Sequence, residues 1–169
     1  MMEKREKGEL IAYFVKRLRK KDEDMQIGKT VIQKMVYLFG LNSGRDFDYS
    51  MYHYGPFSKQ VAWLLDLAQK NGYVDISWNS DKGYFIEPSG DIPEDILDND
   101  IKRDADAVID RYGGYNAIDL SLIATGLYVK NNFDHESEEK LVDIVLSFKS
   151  DYGEERIREL LIKEEIITQ

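Results

Sequence analysis

Val74-Asp75-Ile76-Ser77-Trp78, then Asn79-Ser80-Asp81-Lys82-Gly83, then Tyr84-Phe85-Ile86 with Pro88 closing the run, is the stretch that decides the fold. Val74, Ile76 and Trp78 alternate with Asp75 and Ser77 at the period of a half-buried strand, the middle five residues are turn formers, and the last three return before the proline. A β-hairpin is predicted. Just before it, Val61, Leu64, Leu65 and Ala68 stand at helical spacing between Ser58, a candidate N-cap, and Asn71-Gly72, a C-terminal stop. A helix running into a hairpin is the second half of a winged helix.

Upstream, Leu10, Ile11, Phe14, Val15 and Leu18 make one apolar stripe on a first helix, whose other side is Lys16, Arg17, Arg19 and Lys20. Lys20 to Asp24 reads as a polar connector. A second helix opens near Gly28-Lys29-Thr30, turns Val31, Ile32, Met35, Leu38 and Phe39 inward, and can stop at Gly40 or Asn42. The aromatic segment from Phe47 to Tyr54 suits a strand, with Gly55-Pro56 turning the chain.

Downstream, the composition becomes acidic and helical. A helix is predicted over Pro93 to Arg111 with an acidic outer face, Asp100 lying one turn from Asp104 and Asp106 one turn from Asp110. Asn116 caps another with Leu120, Ile123, Ala124, Leu127 and Tyr128 inward, and two more follow, one beginning near His135 and one carrying Ile157, Leu160 and Leu161. The expected class is mainly α: an N-terminal winged-helix lobe of three helices plus a β-hairpin wing, residues 8–88, and a C-terminal helical lobe, residues 92–166, packed on it.

The whole chain of 169 residues has 23 Lys plus Arg against 32 Asp plus Glu, a formal net charge of −9. Residues 1–45 hold 11 basic and 6 acidic groups, the remainder 12 and 26. The acidic excess argues against general nucleic-acid binding and leaves the C-terminal half as a candidate dock for a basic partner. There is no cysteine, so a disulfide framework, a thiol nucleophile and Cys-ligated metal are excluded, and a reducing compartment suits the chain. With no long apolar run, a cytoplasmic protein without a membrane partner is expected.

Enzyme signatures are thin. Gly28-Lys29-Thr30 imitates the end of a phosphate loop, but Glu23 stands where the loop needs its first glycine. The carboxylates between Asp98 and Asp110 fail the calcium-loop pattern at Arg103, so no metal and no cofactor is expected. His53, in Tyr49-Ser50-Met51-Tyr52-His53-Tyr54, is either a base in an aromatic pocket or, the preferred reading, a packed and hydrogen-bonded histidine. His135 reads as a surface residue at a helix start. Trp63 and Trp78 are candidate interface anchors, core packing being the commoner fate. For duplex DNA, the third helix offers Lys59, Gln60, Gln69 and Lys70, the wing offers Lys82, and the first helix adds Lys16, Arg17 and Lys20; Asp66 opposes them.

Lys29-Thr30-Val31-Ile32-Gln33-Lys34-Met35-Val36-Tyr37-Leu38, followed by Tyr52-His53-Tyr54-Gly55-Pro56-Phe57-Ser58 and a helix, resembles the YwgA-like group and, more distantly, the Panacea domain of SocA-type antitoxins. Tyr112-Gly113, the run from Asp119 to Val129, and the Val145-to-Leu161 end with Lys149 are similar to the YwgA-like continuation. The resemblance spans most of residues 25–165. It implies a fold together with an antitoxin or adaptor role toward a protein partner, and it carries over no catalytic residue. Gln33, Lys34, Tyr37, Tyr54, Gly55 and Pro56 match its motifs, with a structural role at a turn expected of them. The first expectation for function is thus a non-enzymatic regulatory adaptor, antitoxin-like, that binds a protein. The alternatives are a winged-helix DNA-binding transcriptional regulator acting as a homodimer, and an enzyme centred on His53.

Overall fold

The computed structural model describes residues 2–53, 55–90 and 97–169. Within them the chain is mainly helical, with seven helices, 59% helix, and two antiparallel hairpins. Helix α1 (Lys4–Lys21) begins where the Glu6 carboxylate accepts a hydrogen bond from the Glu3 amide, 2.8 Å. The whole predicted stripe from Leu10 to Leu18 is fully buried. Helix α2 (Lys29–Ser43) runs past both expected stops and ends at Gly44, whose φ of +72° is the left-handed cap. Gly40 serves close approach instead: a Cβ there would stand 2.7 Å from the Arg45 carbonyl, which follows the cap.

The aromatic segment is only partly strand. β1 (Ser50–Tyr52) pairs with β2 (Gly55–Phe57), Ser50 facing Phe57 and Tyr52 facing Gly55. Tyr52 pairs with Gly55, so Gly55-Pro56 belongs to the returning strand rather than to the turn. Proline is tolerated there because a two-stranded ribbon leaves outward amides unpaired in any case. Tyr54 lies outside the described residues.

Helix α3 (Lys59–Lys70) starts as predicted, the Ser58 hydroxyl accepting from the Val61 amide at 3.1 Å. Its apolar positions are buried, and Gly72 follows its end at φ +77°. β3 (Val74–Asn79) and β4 (Gly83–Pro88) form the predicted second hairpin. Three ties hold β4: the Ile86 amide donates to the Ile27 carbonyl at 2.8 Å, just before α2, the Arg19 guanidinium grips both Glu87 oxygens at 2.9 and 2.7 Å, and the Gln26 amide donates to the Lys82 and Tyr84 carbonyls at 2.7 and 3.1 Å.

Helix α4 (Asn99–Tyr112) starts later than expected; Pro93 lies outside the described residues. Its acidic face is not wholly outward. Asp104 meets Arg45 at 3.0 Å, and Asp106 accepts from Tyr13 Oη at 2.9 Å and Arg17 Nε at 3.2 Å, whereas Asp100 stays exposed beside Arg103. Helix α5 (Ala117–Asn132), capped by Asn116, is buried on nearly every side from Leu120 to Gly126. It is the central helix, packed on α2, β2, α6 and α7. Helix α6 (Glu138–Phe148) begins at the Ser137 cap, three residues after the expected His135, and α7 (Glu154–Lys163) closes the order. Buried side chains from both halves of the chain join in one apolar cluster.

Candidate functional site

The motif residues converge on the seam between α2, α5 and the first hairpin. Gln33 is buried and brackets Ser58: its amide nitrogen donates to the Ser58 carbonyl at 2.9 Å, and its oxygen accepts from the Ser58 amide at 3.0 Å. Lys34, one residue on, is 2% exposed and donates to the Pro56 carbonyl at 2.8 Å. Tyr49 Oη donates to the Gln33 carbonyl. Across the seam, Lys149 is 4% exposed and donates to Ser121 Oγ at 3.0 Å, while Thr125 Oγ1 donates to the Ser121 carbonyl at 2.7 Å.

Gly55 makes this packing possible. A Cβ there would stand 2.5 Å from Thr125 Oγ1 and 3.6 Å from Lys34 Nζ, and the backbone sits at φ +94°.

Two ammonium groups are thus buried with no carboxylate paired to either among the described residues. Burial, reinforced by the Lys149 charge, brings the Lys34 pKa down to about 7, and burial lowers that of Lys149 as well. Tyr37, one turn from Lys34, has a buried hydroxyl with no partner among the described residues; burial and the neighbouring Tyr128 push its pKa up. The seam can accept a proton near neutrality, but it is sealed from solvent.

The other predicted residues lie elsewhere. His53 is exposed in the turn between β1 and β2, neither packed against α3 nor enclosed in an aromatic pocket. Three residues on an extended strand would share a side, but the chain has already reversed at His53. His135 sits between α5 and α6, its Nδ1 2.9 Å from the Phe133 carbonyl. Of the candidate DNA contacts, Lys59, Gln69 and Lys70 are exposed on α3, Gln60 is half-buried, and Asp66 is exposed on the same helix. On α1, Lys20 is exposed and Lys16 half-buried, but Arg17 is turned toward α4 by its ion pair with Asp106.

A different surface gathers at the second hairpin. Trp78 is 64% exposed and packs on Tyr84 with ring centroids 4.6 Å apart; Trp63 on α3 is 45% exposed. Core packing was the expectation for both tryptophans. It fails for Trp78 because β3 points its Val74 and Ile76 end at the helices and carries its other end beyond them.

Beside Tyr84 a cleft of about 610 Å³ opens between Lys82 and residues 28–30 on one side and residues 113–118 on the other. Lys29 Nζ lies 3.9 Å from the centroid of the Tyr84 ring. Every arginine whose side chain is described is ion-paired with a carboxylate, and among the described residues Lys29 and Lys82 are not.

Among the described residues no group of three His, Asp or Glu side chains is placed to hold a metal ion, and no helix is long and apolar enough to cross a membrane. No protein-family model matches the chain, and no curated protein matches it. Sequence reasoning missed the cleft because its walls come from three distant segments. It also missed Ser121 and Thr125 as partners of the motif, although their spacing of four on a buried helix was a usable signal.

Proposed function

We propose that the chain is a non-enzymatic regulatory adaptor, antitoxin-like in that it acts by binding a protein partner, and that the second hairpin is the contact surface. One observation carries this: Trp78 and Tyr84 form an aromatic pair held out in solvent on a hairpin whose base is fixed by Arg19 and Ile27. Tryptophan and tyrosine dominate interface hot spots because they offer large rigid area at low entropic cost, and a solvated stacked pair has no stabilising role in the core. The YwgA-like and Panacea resemblance points the same way, with Gln33 and Lys34 shaping the fold rather than touching a client. We assign the protein to the cytoplasm on its cysteine-free composition.

A second reading, a winged-helix DNA binder, is favoured by the Ile27–Ile86 backbone bond. That bond sets the segment before α2 beside the hairpin, within the lobe we place at residues 8–88, with residues 92–166 as the helical lobe, although the β1–β2 hairpin stands between α2 and α3. Asp66 amid Lys59 and Lys70, and the occupation of Arg17 by Asp106, weigh against it.

The test is capture of tagged wild-type and Trp78→Ala proteins from nuclease-treated native lysate. A stoichiometric protein companion that is lost with Trp78→Ala is the expected result. A companion held equally by both variants overturns the assignment of the surface, and nucleic acid eluting with salt from an untreated sample, with no protein companion, puts the DNA reading in its place.

A further inference from the structure

The chain is acidic, yet lysines stand on and beside the cleft at Tyr84. Lys82 and Lys29 line it. The Lys21 side chain lies against Gly113 on its rim, the Cδ 3.1 Å from where a Cβ would be, and Lys163 Nζ sits 5.1 Å over the ring of Tyr115, which lines the far wall. None of these four lysines is paired with a carboxylate among the described residues.

Asp22 is the one acidic residue of the lining, and its carboxylate already accepts from the Asp24 amide. Between the cations the walls are apolar or aromatic: Met25, Tyr84, Tyr115 and Ile118, the last 41% exposed.

We propose that this cleft takes an extended acidic segment of the partner protein, its carboxylates meeting Lys29 and Lys82 and its apolar side chains lying against Tyr84, Tyr115 and Ile118. The proposal rests on the adaptor reading and gives the partner its chemistry. Charge complementarity selects the occupant. The lining has two lysines against the single carboxylate of Asp22, with Lys21 and Lys163 beside it, a positive balance in a protein of net charge −9 that favours an anionic segment over a basic one. The size of the cleft, about 610 Å³, suits a few side chains of one extended segment and is far too small to seat a duplex. Apolar side chains between the carboxylates are required because the floor between the lysines would otherwise remain wetted tyrosine and isoleucine.

The experiment is fluorescence polarisation with a labelled peptide alternating glutamate with leucine and phenylalanine, beside a lysine-for-glutamate counterpart and a labelled DNA duplex. The acidic peptide binds the full chain, more weakly as salt rises. Lys29→Gln with Lys82→Gln weakens it at least tenfold, and Lys59→Gln with Lys70→Gln on α3 leaves it unchanged. Circular dichroism of each variant confirms the fold, and Lys82→Glu alone, at an exposed turn, supplies the same comparison should the double variant fail to fold.

Equal binding of the basic peptide, tighter binding of the duplex, or indifference to the Lys29 and Lys82 changes overturns the cleft assignment. A companion protein lost with Trp78→Ala but kept by the cleft variant leaves the adaptor standing and removes this cleft from it. Acidic-peptide binding without any lysate companion removes the adaptor reading and keeps the cleft.

Discussion

The two hairpins are built alike and used oppositely. Both are two-stranded, antiparallel and begin their second strand with a glycine at positive φ, Gly55 at +94° and Gly83 at +87°. The first is drawn into the seam by buried polar groups on α2, its Pro56 carbonyl and Ser58 backbone held by Lys34 and Gln33. The second is tied along β4 by Arg19 and Ile27 and, near its turn, by the Gln26 amide on the Lys82 and Tyr84 carbonyls, yet it leaves Trp78 in water. The hairpin bearing Gln33's partners is thus built into the seam, while the second leaves Trp78 exposed.

The largest effect that would sharpen this contrast is at the glycines. Gly55→Val adds both the left-handed backbone penalty and a collision with Thr125, and should cost about 3–5 kcal/mol in denaturant unfolding. Gly83→Ala, whose added carbon meets nothing closer than Trp78 at 4.0 Å, should cost only about 1–2 kcal/mol, the backbone term alone. Equal losses would break the comparison.

Next is Gln33→Ala, which strands the buried Ser58 amide while the Ser58 carbonyl keeps its bond from Ala62, and should lower stability by about 1–3 kcal/mol, read by chemical denaturation.

The third is a pH effect. Lys34 has a folded-state pKa lowered to about 7 from 10.5, so the unfolded chain binds more protons between those values and stability must rise with pH across them. The penalty is complete below pH 7 and gone by the unfolded value. From pH 7 to pH 9 the wild type should gain about 2 kcal/mol relative to Lys34→Met, whose profile lacks this slope. Parallel profiles for the two proteins would show that Lys34 is not held neutral by the seam. Smallest is Trp78→Ala, expected to alter unfolding by less than about 1 kcal/mol; a larger loss would mean that the second hairpin is part of the core after all.

Much of the helical order was legible because burial imposes a period on the sequence. The stripes of α1 and α3, the caps at Ser58 and Asn116 and the β3–β4 register all follow from local spacing and local hydrogen bonding. Gly40 and Gly55 were misread for one reason: a glycine signals a stop or a turn when only its own backbone is considered, and a close approach when its distant neighbours are known. His53 was misplaced because alternation holds only while a strand continues.

The outward posture of Trp78 and the partners of Arg17 and Asp106 depend on which segments meet. Contacts between residues some ninety positions apart leave no local trace. Gln33 and Lys34 stand next to each other in the sequence, but the cationic counterpart Lys149 and the hydroxyls of Ser121 and Thr125 become their neighbours only through the packing of α5.

The division of labour between arginine and lysine has a consequence for covalent modification. The framework ties, Arg19 to Glu87, Arg45 to Asp104 and Arg158 to Glu139, are all guanidinium contacts, whereas the cations around the cleft are all primary amines. An acyl group delivered to amines removes the charge of the latter and leaves the former untouched. Acetylation could therefore silence the electropositive cleft while the scaffold stays assembled, and Lys34 and Lys149, shielded within the seam, would be the last amines to react.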